Sequence, residues 1–109
     1  MGMNDNCAVL YGDVDWPKPK ERMAEILRAG GLDVYVGQYS VRVNDCSYFV
    51  FQEYGGDLGD PCITADAETV DEMITDAKKI SAALAAAGIR HSFEIYDHEG
   101  DLVETIKYP

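Results

Sequence analysis

Residues 69–88, TVDEMITDAKKISAALAAAG, decide the fold. Val70, Met73, Ile74, Ala77, Ile80, Leu84 and Ala87 recur at three- and four-residue intervals, so one side of a long helix is apolar. Thr69 and Glu72 have the spacing of a capping box, Asp66 offers an alternative cap one turn earlier, and Gly88 supplies the exit. Acids gather in the first turns and Lys78 and Lys79 follow later, in agreement with the helix dipole. A one-sided stripe of this length needs a broad apolar partner, and the flanking segments read as strands that provide it.

Downstream, Phe93 and Ile95 point inward from a strand, Asp97 and Gly100 bracket a type I turn, and residues 102–108 return as the second arm of a hairpin. Glu104, Thr105 and Lys107 mark that arm as a sheet edge. Upstream, residues 62–65 form a short optional strand after the irregular loop 55–61, GGDLGDP. Residues 46–54 carry Tyr48 and Val50 on one face and Phe49 and Phe51 on the other, which places this strand inside a sheet.

Further back, Leu32, Val34 and Val36 alternate in one phase and Tyr39, Val41 and Val43 in the other. An extra residue near Gly37 and Gln38 explains the slip, either as a bulge in one long strand or as a tight hairpin. The bulge is preferred, because Asn44 and Asp45 offer the better turn. A first helix runs from Pro19 through Met23, Ile26 and Leu27 to Gly30 and Gly31, after a first strand at 7–11 that Gly12 and Asp13 close.

The resulting order, β-α-β-β-(β)-α-β-β, predicts one α+β domain over residues 1–109. It is a two-layer α/β sandwich with a mostly antiparallel sheet and two helices on one face. The nearest common pattern is the ferredoxin-like split βαβ, from which the extra hairpin and the kinked second strand depart.

Twenty Asp and Glu against nine Lys and Arg give a net charge of -11, which repels phosphate backbones and anionic lipid. Nucleic acid and membrane partners are therefore not expected. No apolar stretch approaches the roughly 20 residues of a membrane span, and the first residues lack the basic and apolar segments of a secretory signal. Three cysteines, Cys7, Cys46 and Cys62, cannot all pair within the chain, so a reducing cytoplasmic setting is expected.

The acids are unevenly placed. Between Arg42 and Lys78 there is no Lys or Arg, yet nine carboxylates occur there: Asp45, Glu53, Asp57, Asp60, Asp66, Glu68, Asp71, Glu72 and Asp76. Such a run is commonly a solvated loop and an acid-rich helix start. Its functional alternative is a docking face for a basic protein, because acidic patches steer association and reject wrong partners. The residues expected to make that face are Glu53, Tyr54, Asp57, Asp60, Asp66, Glu68, Asp71, Glu72 and Asp76. An inhibitor that covers the basic active site of a nuclease is one form of such a protein.

Enzymatic motifs do not support catalysis. There is no Gly-x-Ser-x-Gly elbow, the glycine-rich loop has acids where a phosphate loop needs lysine, and neither His91 nor His98 has a visible nucleophile beside it in sequence. Zinc ligation lacks a recognised spacing, and no cofactor is expected. The tyrosines, Tyr35, Tyr39, Tyr48, Tyr54 and Tyr96 among them, are expected mainly to pack within strands, with any that point outward available for recognition. Two further readings stand beside docking: a small-molecule or metal pocket, or a minor enzyme, at loop 55–61, and a homo-oligomer joined through exposed strand edges.

Overall fold

A computed structural model of the chain describes residues 7–15, 20–52 and 62–108. The elements are β1 (Ala8–Val14), α1 (Lys20–Ala29), β2 (Val34–Val36), β3 (Ser40–Val43), β4 (Tyr48–Gln52), β5 (Cys62–Ala67), α2 (Val70–Ala86), β6 (His91–Tyr96) and β7 (Leu102–Tyr108). The strands form one seven-stranded sheet in the order β2-β3-β4-β5-β1-β6-β7, and every neighbouring pair is antiparallel. Helix α1 packs on β2 and β3, α2 packs on β1, β5, β6 and β7, and the two helices touch each other. The architecture is thus a two-layer α+β sandwich with both helices on one face.

The sheet differs from the exact ferredoxin-like pattern by added strands. A split βαβ crossover straddles one strand, and α2 does so in carrying the chain from β5 to β6 over β1. Helix α1, by contrast, carries it from β1 to the far edge, past β5, β4 and β3. The two added strands of the meander, β2 and β3, account for this longer crossing.

That meander corrects the preference for a bulge at Gly37 and Gln38. Val34 pairs with Val43, Tyr35 with Arg42 and Val36 with Val41, so residues 34–43 fold back as a hairpin, closed by the Gly37 N–H donating to the Ser40 carbonyl at 2.8 Å. In this register even positions face odd ones. Val36 and Val41 therefore share a face only if the alternation changes phase between them, and the slip is the mark of the tight turn itself.

The first strand also differs from expectation, because it runs through Gly12 to Val14 rather than ending there. Gly12 pairs with Phe93, and a Cβ on it would lie 2.4 Å from the Ser92 carbonyl oxygen and 2.9 Å from the Phe93 ring. Here glycine permits close approach inside a strand and does not signal a stop. Phe49 likewise pairs with the small Ala65, and the Phe49 and Phe93 rings meet across the strands between them at 5.8 Å, edge to face. Phe49, Phe51 and Phe93 are fully buried, contributing about 2–3 kcal/mol each. Met23, Leu27, Met73, Ile80 and Leu84 close the same core from the helices.

Both helices end as the glycines predict. Leu32 N–H bonds the Leu27 carbonyl and Gly31 N–H that of Arg28, while Ile89 bonds Leu84 and Gly88 bonds Ala85. These are paired Schellman closures around Gly31 and Gly88, at φ 90 and 75. At the start of α2, Thr69 Oγ1 accepts from the Glu72 N–H at 3.0 Å, so Thr69 is the cap and Asp66 belongs to β5. Strand β5 itself is longer than the optional segment 62–65 and lies inside the sheet.

Candidate functional site

The nine acids of the 45–76 region separate into groups with different roles. Asp66 leaves β5 on the sheet face opposite the helices, Glu68 follows in the connection to α2, and Glu72 lies in the first turn of α2; all three are exposed. They line one open cleft of about 560 Å³, completed by Cys7, Ala8, Val9, Ser47 and Ala67. Asp71 is exposed in the same helical turn. Among the described residues no Lys or Arg forms an ion pair with any of these four; the two ion pairs found, Lys20–Glu21 and Arg22–Glu25, are on α1.

Asp76 does not belong with them. It is 6% exposed, points from α2 toward the β3–β4 turn, and its Oδ2 accepts the Ser47 N–H at 3.0 Å. Cys46 adjoins it, and burial first, then the Asp76 charge, pushes the Cys46 thiol up to about 12. Asp76 is therefore removed from the docking face, since its lone pairs are used to hold a turn. Asp45, in the same turn, is exposed and accepts the Asp33 N–H at 2.9 Å. Glu53, Tyr54, Asp57 and Asp60 lie outside the described residues, as does the proposed pocket loop 55–61.

Sequence spacing shows no nucleophile partner for either histidine, but the fold brings Ser81 to His91. His91, 4% exposed on β6, has Nε2 2.7 Å from Ser81 Oγ of α2 and Nδ1 2.9 Å from the Ile89 carbonyl. A carbonyl only accepts, so Nδ1 carries the proton, and in the neutral ring Nε2 accepts from the Ser81 hydroxyl. This is the base and hydroxyl part of a catalytic dyad. Ser81, however, is mid-helix, where neighbouring backbone N–H groups are spent within the helix and cannot stabilise an oxyanion. His91 also packs between Phe93 and Tyr108, at 5.0 and 5.9 Å between ring centres. The pair is best understood as a satisfied polar contact joining α2 to β6.

The tyrosines lie in or beside strands as expected, though none of those described is in the buried core. Tyr11, Tyr35 and Tyr39 are 62%, 64% and 48% exposed, and Tyr48 and Tyr96 are half-buried. Tyr11, Tyr48 and Tyr96 share the uncovered face of the sheet with Asp66. Their parity relative to the inward residues Leu10, Phe49 and Ile95 was the available sequence signal. A second acid cluster, Asp97, Glu99 and Asp101, is a turn: Asp97 Oδ1 accepts the N–H groups of both Glu99 and Asp101.

Of the described helices, none is long and apolar enough to cross a membrane. No protein-family model matches the chain, and neither does any curated protein or solved structure with which it was compared.

Proposed function

We propose that this chain is a non-enzymatic interaction domain that docks a basic protein through its 45–76 acidic region. The observation that carries the reading is the cleft where Asp66, Glu68 and Glu72 stand together with no cationic side chain among the described residues that line it. Like charges held this close raise the local negative potential, which favours a cationic surface over water and small counterions. An inhibitor of a basic enzyme is one form that this chemistry suits. A reducing compartment such as the cytoplasm suits Cys7 and Cys46, both of which are free thiols.

The test is affinity capture from the native lysate at about 50 mM and about 500 mM salt, comparing wild type with the Glu68→Gln/Glu72→Gln variant. The expected result is a basic protein held at low salt, released at high salt, and lost with the variant. Recovery of the same proteins by both chains would remove the acidic cleft from the interaction.

A further inference from the structure

The sheet face that carries no helix has an organised surface. Register places Tyr48, Asp66, Val9, Tyr96 and Leu102 in one row across five strands, with their side chains on that face. In the next row, Tyr11 of β1 pairs with Glu94 of β6. Tyr11 and Tyr96 meet edge to face at 5.6 Å, and the Tyr96 hydroxyl donates to Glu94 Oε1 at 3.1 Å. Two aromatic rings thus share this face with two exposed carboxylates, Glu94 beside them and Asp66 across Val9.

Val9 and Asp66 belong to both this surface and the acidic cleft, so the two are continuous. We infer that the uncovered face around Tyr11 and Tyr96 is the contact surface for an arginine-bearing polypeptide segment, with Asp66 and Glu94 as its counter-charges. This rests on the docking reading above and specifies its partner.

Charge complementarity excludes an acidic occupant, and the aromatic content selects among basic ones. A planar guanidinium stacks on a tyrosine face while its N–H groups reach a carboxylate, whereas a lysine ammonium is a more strongly hydrated point charge. The protein already seats one guanidinium on this face in that manner, with Arg42 lying over the Tyr48 ring at 5.3 Å. Tyr11, at 62% exposure, presents its ring to solvent without such a cover.

Nona-arginine and nona-lysine peptides separate these contributions, since their charges are equal. Wild-type protein is expected to bind nona-arginine at least about threefold more tightly. The Tyr11 and Tyr96 ring resonances should shift on titration, and the Tyr11→Thr/Tyr96→Thr variant should lose the arginine preference. Its thermal midpoint establishes that it folds, and if it does not, the wild-type ring shifts decide alone. Equal affinity for both peptides, unmoved ring resonances, or a preference that survives in the folded variant would each overturn the inference. If binding is abolished by Glu68→Gln/Glu72→Gln while the tyrosines have no effect, this inference falls and the docking reading stands. If wild type binds neither peptide, both fall.

Discussion

Asp76 Oδ2 and the Ser47 amide are 3.0 Å apart, although 29 residues separate them in sequence, and this bond ties α2 to the turn between β3 and β4. Removing the acceptor strands the part-buried Ser47 N–H. Asp76→Ala is expected to destabilise the fold by about 1–3 kcal/mol, and Asp76→Asn, which keeps one acceptor oxygen, by less. Urea midpoints of the two variants check the order.

Cys46 gives this contact a pH dependence. An ordinary thiol ionises near 9.0, and in the folded chain the value is about 12. Between the two, the unfolded chain releases a proton that the folded chain retains, so stability is unaffected below the lower value and falls as pH rises through that window. Urea midpoints at about pH 8 and about pH 10 should diverge more for wild type than for Cys46→Ala. Alkylation at the lower pH should also leave Cys46 unmodified.

Gly12 has no room for a side chain. Gly12→Ala forces a methyl group against the Ser92 carbonyl and the Phe93 ring, and the strands must separate to accept it. A loss of about 1–3 kcal/mol is expected, with the largest amide shift changes along β1 and β6. Thermal midpoints and a ¹⁵N spectrum provide the check.

Ser81 and His91 make a tautomer prediction. Long-range ¹⁵N–¹H spectra should place the neutral-ring proton on Nδ1, with Nε2 as acceptor. Ser81→Ala leaves that nitrogen without its partner and is expected to cost about 1–3 kcal/mol, whereas Ser81→Thr, which retains a hydroxyl, should cost less.

At the helix start, Thr69→Ala removes the oxygen that accepts the Glu72 N–H. A loss of about 1 kcal/mol is expected, and Thr69→Ser or Thr69→Asp should restore most of it. Chemical denaturation of the three variants decides.

Local chemistry was readable from the residues, and pairing between distant segments was not. The caps at Thr69, Gly31 and Gly88 and the turn from Asp97 to Gly100 depend on neighbours a few positions away, so periodicity and turn chemistry locate them. The position of β1 between β5 and β6 depends on which strands meet after the chain has folded, and alternation within a strand has no information about its neighbour. At residues 34–43 the phase slip was visible, but bulge and hairpin both produce one, and only the Val36–Val41 pairing separates them.

Asp76 was misassigned for a related reason. Its neighbours Asp71 and Glu72 are exposed, and proximity in sequence grouped it with them. Helical geometry places it with Met73, Ala77 and Ile80 on the stripe facing the sheet, where a charge requires an internal partner. Counting acids gave their number, and only the turn of the helix distributes them between solvent and interior.

The place of β1 also sets an order of assembly on the ribosome. Ala8 pairs with Ala67 and Val14 with His91, so this early-made strand has no lateral neighbour until much of the chain has emerged. The meander of β2, β3 and β4 can close beforehand from nearby residues, whereas the middle of the sheet waits for β5 and β6. Nascent chains halted before residue 96 should leave β1 open to proteolysis, and its protection should arrive together with the second helix crossing.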